Sequence, residues 1–261
     1  MPISRIAGFF AKKEAAPPRV PENARLYVIG DVHGRLDLLH DLELRIEADL
    51  ATAPERVLTI FVGDYVDRGG DSAGVLDRLS AGEFCTDIAC LRGNHEEVML
   101  QFLSDESVLD SWRKFGGLET LHSYGVNVAD VMRGAGYDRA QVDLLRVLPT
   151  RHREFLEKTR LSLTVGDYFF CHAGVRPGVP LENQSPHDLL WIREEFIRNE
   201  ASFGKVVVHG HTPTAAPEVK SNRINVDTGA YASSILTALV LEGDAKRFLA
   251  TGVRRADLSR M

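Results

Sequence analysis

The chain has little of what would take it out of the ordinary globular class. No apolar run approaches the ~20 residues that a membrane-spanning helix needs, so no membrane span is expected. Cysteine is scarce. Cys85, Cys90 and Cys171 are the only three in 261 residues, they form no Cys-x-x-Cys pair, and they cannot all be bridged. They read as reduced core thiols of a cytoplasmic protein, with a redox-sensitive Cys171 as the alternative. Nor is there a Cys-x5-Arg loop to supply a phosphocysteine intermediate. Positive charge is not in excess: 31 Lys and Arg face 37 Asp and Glu, a net −6. No general attraction to nucleic acid or to an anionic membrane follows, so any affinity for phosphate must be local. Met1 to Lys13 carries a short apolar patch at Ile6 to Phe10 without a small-residue cleavage pattern, so no secretory signal is read there. There is no internal repeat.

What is present suffices for a sizeable core. The hydrophobic fraction is 44% and the charged fraction 26%, as in ordinary globular domains. Residues 11 to 24, with Pro17, Pro18 and Pro21, read as linker, and residues 1–24 together as a flexible tail. Structure is expected from Arg25 onward.

Three strings then dominate the pattern: Gly30-Asp31-Val32-His33-Gly34, Gly63-Asp64-Tyr65-Val66-Asp67-Arg68-Gly69 and Gly93-Asn94-His95-Glu96. Each follows an apolar run of strand character and precedes a segment of helical periodicity, such as Leu39, Leu42, Ile46 and Leu50. Three strand-to-helix turns of this kind deliver Asp, His and Asn to the carboxyl edge of an α/β sheet. Two further strings extend the set, Cys171-His172-Ala173-Gly174 and Gly210-His211-Thr212-Pro213. The donors are oxygen and imidazole, a set that favours Mn, Fe or Zn over a sulfur-bound structural ion. They exceed the needs of one tetrahedral ion. A two-metal hydrolytic site is the economical reading. Each residue alone also fits a turn-capping carboxylate or amide, or a hydrogen-bonded histidine.

The five strings, in this order, resemble the signature of the calcineurin-like metallophosphoesterases, and within them the phosphoprotein phosphatase branch of bacterial and phage type. The match runs from about Arg25 to Leu249. The resemblance implies two mixed sheets packed as a sandwich with helices outside, in a single catalytic domain at 25–261. It implies two divalent ions, Mn²⁺ first with Fe or Zn as alternatives. Asp31 and His33 would bind the first ion, Asp64 would bridge both, and Asn94, His172 and His211 would complete the second site. His95, oriented by Asp67, would protonate the leaving oxygen after in-line attack by a hydroxide held between the metals, while Arg68 and Arg193 would grip phosphoryl oxygens. Arg193 rests on the looser string Leu190-Trp191-Ile192-Arg193, and its other reading is a surface arginine beside Glu194 and Glu195. His209 is left out of the ligand set, because the resemblance falls on the His that follows Gly210.

From the third motif to about Lys158 the pattern turns helical, with breaks at Gly116-Gly117, Gly125 and Gly134–Gly136. This reads as an insertion at 98–158, packed beside the sheet, whose loops could cover the site and choose substrates. Beyond it the chain is strand-rich and reads as a meander, with hairpin turns at Gly166-Asp167 and Gly243-Asp244. The expected function is hydrolysis of phosphomonoesters on a phosphorylated protein or a small phosphoester. The nearest alternative is a nucleotide hydrolase similar to the symmetrical diadenosine tetraphosphatases, which typically lack the carboxylate at Asp67 and end their third motif in Asp where this chain has Glu96. A catalytically silent scaffold is the remaining alternative.

Overall fold

The computed structural model describes residues 16–252. The first half alternates strand and helix: β1 (Ala24–Ile29), α1 (Leu36–Asp49), β2 (Arg56–Phe61), α2 (Ser72–Ser80), β3 (Asp87–Cys90) and α3 (Asn94–Phe102). The three strands are parallel, and Ile29 pairs with Phe61 as Phe61 pairs with Cys90. All three therefore end at one level of the sheet. The turns that follow them emerge side by side.

The insertion supplies α4 (Leu109–Trp112), α5 (Gly117–Ser123), α6 (Ala129–Met132), α7 (Tyr137–Val147) and α8 (Thr150–Lys158). Its apolar residues Leu109, Trp112, Leu121, Leu144 and Leu156 join one cluster with Tyr27, Ile29 and Phe61 of the first sheet. Of the glycines read as helix breaks, Gly116, Gly125, Gly134 and Gly136 stand between helices with positive φ, while Gly117 opens α5.

The remainder gives β4 (Ser162–Val165), β5 (Tyr168–Cys171), α9 (Pro186–Trp191), α10 (Glu194–Ile197), β6 (Val206–His209), β7 (Glu218–Val219), β8 (Arg223–Asn225), α11 (Ala230–Ser233), β9 (Thr237–Glu242) and β10 (Ala245–Ala250). One sheet has the order β10-β9-β1-β2-β3 and the other β4-β5-β6-β8-β7. The period of two sets the layers. Leu26, Val28, Ile60 and Val62 face Tyr168, Phe170, Val206 and Val208 between the sheets. Phe169, Cys171 and Val207 turn outward against Leu189, Ile192 and Phe196. The expected sandwich of two mixed sheets flanked by helices is the observed fold.

Two expectations are corrected. The second half is not a meander, since β5, β6 and β8 are parallel neighbours and β9 crosses to the first sheet beside β1. Hairpins do form at β4–β5 and β9–β10, but the unbroken apolar runs of β5 and β6 belong to parallel strands buried on both faces. The part of the expected flexible tail that is described packs against the fold. Val20 is buried and its N–H donates to the Gly243 carbonyl at 3.0 Å, while Tyr168 donates to the Pro18 carbonyl at 3.2 Å. The rest of that tail, 1–15, and the end of the expected domain, 253–261, lie outside the described residues. Among the described residues no helix is long and apolar enough to cross a membrane.

Candidate metal centre

The five strings converge where β1, β2, β3, β5 and β6 end. Their backbone is unusual there. Five of the seven described non-glycine residues with positive φ are His33, Asp64, Asp67, Arg68 and His211. Such conformations persist only where the surroundings over-determine them. Glu96 does much of that. Its buried carboxylate accepts the N–H groups of Tyr65 at 2.7 Å, Asp64 at 2.8 Å, Gly93 at 2.9 Å and Val66 at 3.2 Å. Burial and then the nearby Asp64 push its pKa up to about 7, against those donors. Gly93 must be glycine for a different reason: a Cβ there would collide with the Asp64 carboxylate and backbone nitrogen.

Two groups of ligand atoms form around the Asp64 carboxylate. One is His33, Asp64 and His95, the other Asp64, His172 and His211, and all five residues are buried. In the second group His172 donates its Nδ1–H to the Val62 carbonyl at 3.0 Å, which leaves Nε2 a bare lone pair. That lone pair meets Asn94 Oδ1 at 2.9 Å, His211 Nδ1 at 3.1 Å and Asp64 Oδ1 at 3.4 Å. His211 Nε2 is buried with no hydrogen-bond partner. Acceptors outnumber protons here, and a divalent cation is the group that satisfies such a cluster. In the first group His33 Nδ1 is likewise committed to the Val66 carbonyl at 2.8 Å, and its Nε2 lies 3.4 Å from Asp64 Oδ2. Arg68 reaches into this group, with Nη1 3.0 Å from His33 Nε2 and Nη2 3.1 Å from His95 Nε2.

The electrostatics suit cation binding. Burial holds the His33 pKa down at about 3 and keeps His172 and His211 low as well, so these imidazoles stay neutral, the form that ligates. Burial alone would raise Asp64, but the surrounding histidines keep it well below the usual carboxylate range. His95 behaves differently. Burial opposes its charge, yet Asp64 and the hydrogen bond to Asp67 raise it to about 9. Its Nδ1 lies 2.6 Å from Asp67 Oδ2, with Asp67 fully buried. The Nε2 proton and the Arg68 contact compete for one lone pair.

The other expected residues lie nearby in distinct settings. Asp31 is buried but belongs to neither three-residue group. Its oxygens accept the His211 N–H at 3.1 and 3.3 Å, and burial, Asp227 and Asp64 raise its pKa well above normal. Asn94 adjoins the second group through His172. Arg193 is exposed just before α10, and its Nη1 donates to the His211 carbonyl at 3.1 Å and Thr212 Oγ1 at 3.3 Å. His209 turns away, its ring edge-on to Phe196 at 4.8 Å and its Nδ1 3.0 Å from the Gly210 carbonyl. Several contributors stand outside what the strings declare. Glu96 marks only the end of the third motif in the sequence, and Asp227, buried and close enough to raise the Asp31 pKa, gives no sign there of its place. Tyr231, whose ring lies 4.7 Å from the Arg68 guanidinium carbon and 5.5 Å from His33, gave no signal beyond following Asp227-Thr228-Gly229-Ala230.

Comparison with known proteins agrees with this frame. Residues 24–238 match the family model described as calcineurin-like phosphoesterase. The chain is 30% identical over 219 residues to serine/threonine-protein phosphatase 1 of Salmonella typhimurium, covering 81% of this chain and 89% of that one. It is 24% identical over 233 residues to the asymmetrical bis(5'-nucleosyl)-tetraphosphatase PrpE of Anoxybacillus flavithermus, covering 81% and 88%. The solved cold-active protein-tyrosine phosphatase of a psychrophile Shewanella species superposes with a TM-score of 0.56 at 14% identity, over 88% of this chain and 80% of that one. At that identity the likeness speaks for the fold.

Proposed function

The chain belongs to the calcineurin-like phosphoesterase family, whose members are metal-dependent phosphoesterases, and from that premise we propose that it hydrolyses phosphoserine or phosphothreonine in proteins. The observation that carries this reading is the buried Asp67–His95 pair, 2.6 Å apart, beside Asp64. A serine or threonine alkoxide is a poor leaving group and needs a proton as the P–O bond breaks. A nucleotide leaves as a phosphate and needs one far less. A carboxylate that both orients an imidazole and favours its charged form makes it a proton donor at Nε2.

Asp64 would be shared between two divalent ions, with Asp31 and His33 on one side and Asn94, His172 and His211 on the other; Mn²⁺ suits these donors best, then Fe or Zn. Ions bound there supply positive charge to phosphoryl oxygens and make an activated water available at neutral pH. The chain's own groups do the rest. Glu96 and the glycines hold Asp64 in place, Asp67 fixes the His95 tautomer, and Arg68 and Arg193 offer guanidinium donors to the phosphoryl oxygens. Trp191 and Tyr231, each 39% exposed, stand near His211 and Arg68 where a substrate would approach.

A second reading, dinucleoside tetraphosphate hydrolysis, is favoured by the named PrpE relatives, which are of the asymmetrical type. The test is a metal-supplemented panel of phosphoserine, phosphothreonine and phosphotyrosine peptides beside dinucleoside tetraphosphates. Higher kcat/KM on phosphoserine or phosphothreonine is expected. Preference for the dinucleotide would select the second reading, and no turnover with any metal would leave a silent scaffold.

A further inference from the structure

The helical insertion does more than stand beside the site: it takes hold of the acid-side pair. Asp67 Oδ2 receives two donors, His95 Nδ1 at 2.6 Å and the indole Nε1–H of Trp112 at 2.7 Å. Asp67 Oδ1 accepts the Thr120 hydroxyl at 2.6 Å. The Asp67 N–H is met by Thr120 Oγ1 at 2.9 Å and Ser72 Oγ at 3.0 Å, and the next N–H, of Arg68, donates to the Gly116 carbonyl at 3.2 Å. Trp112 and Thr120 lie in α4 and α5, forty-five and fifty-three residues beyond Asp67. Of the hydrogen bonds to the Asp67 carboxylate and to the Asp67 and Arg68 N–H groups named here, only those of His95 and Ser72 come from outside the insertion.

The grip is built on packing. Trp112 is 1% exposed and lies against Phe102 with ring centroids 5.1 Å apart, so the indole N–H has a fixed address. Gly116 has φ +107, and a Cβ there would strike the Arg68 nitrogen; a Cβ on Gly117 would strike the indole ring. The Gly-Gly pair at the start of α5 is therefore what lets the insertion close on the Asp67–Arg68 turn. That turn needs holding, since Asp67 and Arg68 are consecutive residues at φ +74 and +68.

We propose that Trp112 and Thr120 are positioning residues of the reaction, fixing the Asp67 carboxylate and, through it, the His95 imidazole. This rests on His95 acting as the general acid. A carboxylate with one oxygen shared between an indole and an imidazole has little freedom to rotate, so the imidazole is presented at one angle. Removing the indole donor frees that oxygen and loosens the imidazole without touching any of the expected metal ligands.

The test uses the full chain, with metal content measured in every variant, on a phosphoserine peptide and on nitrophenyl phosphate, whose phenolate leaves without a proton. Trp112→Phe keeps the packing and removes the N–H. Loss of a hydrogen bond to a charged group should lower kcat on the peptide about tenfold and on nitrophenyl phosphate markedly less. Combined with His95→Asn it should cost nothing further, because it acts only through that imidazole. Thr120→Val should repeat the bias and Thr120→Ser restore it, which keeps the test open if the Trp112 variant fails to fold. Equal losses on both substrates, while His95→Asn alone shows the bias, would overturn the positioning role. If His95→Asn shows no bias, the general-acid reading fails on its own, and additive losses in the double variant would then overturn the clasp as well.

Discussion

Gly93→Ala isolates the placement of Asp64 with a single methyl group. At φ −93 and ψ 171 the backbone is open to any residue, so no left-handed strain is involved. Stiffening the unfolded chain should gain about 0.4–1 kcal/mol. Against this, the new Cβ would overlap the Asp64 carboxylate and its backbone nitrogen and lie 2.8 Å from Glu96 Oε2. None of these atoms is the end of a free side chain, because Glu96 is tied to four backbone N–H groups. Overpacking of this kind costs about 1–3 kcal/mol, so the overlap wins. A net loss of about 1–2 kcal/mol corresponds to a fall in Tm of roughly 2–8 °C for a chain of this size. The functional loss should be larger. If Asp64 is the shared ligand, its displacement weakens both ions together, and a misplacement near 1 Å costs about 10²-fold in turnover. Elemental analysis, thermal unfolding and kcat/KM on one preparation decide the matter. Loss of one ion with the other retained would refute the sharing. Unchanged Tm, metal content and turnover would refute the packing around Gly93.

Three further outcomes follow from the same contacts. Activity should vanish on chelation and return best with Mn²⁺, and full turnover in a preparation shown by elemental analysis to be metal-free would contradict the site. Arg193→Ala should lose a charge-assisted hydrogen bond to phosphate worth about 1.5–3 kcal/mol, roughly 10–150-fold in kcat/KM, with metal content intact; wild-type kinetics would return Arg193 to the surface. His152 is 1% exposed, with Nδ1 2.8 Å from the Tyr124 hydroxyl and Nε2 2.7 Å from Asp77, and burial holds its pKa below the ordinary value although Asp77 opposes this. The unfolded imidazole takes its proton near pH 6.5 and the folded one resists. Its contribution to stability is present above that pH and lost below it. Tm should therefore fall less steeply from pH 7 to pH 5 in His152→Gln than in the wild type, and equal slopes would remove His152 from the account.

Much of this protein could be read from short stretches of its sequence, and the reason is local. A glycine that permits a sharp turn, a β-rich run before it and the donor side chain within it all lie within a few residues, so the five strings at Asp31, Asp64, Asn94, His172 and His211 declare strand ends and candidate ligands together. Gly166 and Gly243 likewise announce hairpins between sequence neighbours. What only the folded chain decided is which of these pieces meet. Parallel pairing of β5, β6 and β8 is a choice among distant partners that no strand names in its own residues. Val20 reads as linker among prolines until the β9–β10 turn supplies its hydrogen bond. The gathering of His33 and His95 on one side of Asp64 and His172 and His211 on the other depends on the register that aligns Ile29, Phe61 and Cys90. Trp112 gives no local sign of its bond to Asp67, because a hydrogen bond across forty-five residues exists only after α4 has packed. Residue type and turn chemistry are properties of a few neighbouring bonds, whereas contact between remote side chains is set by how whole layers stack.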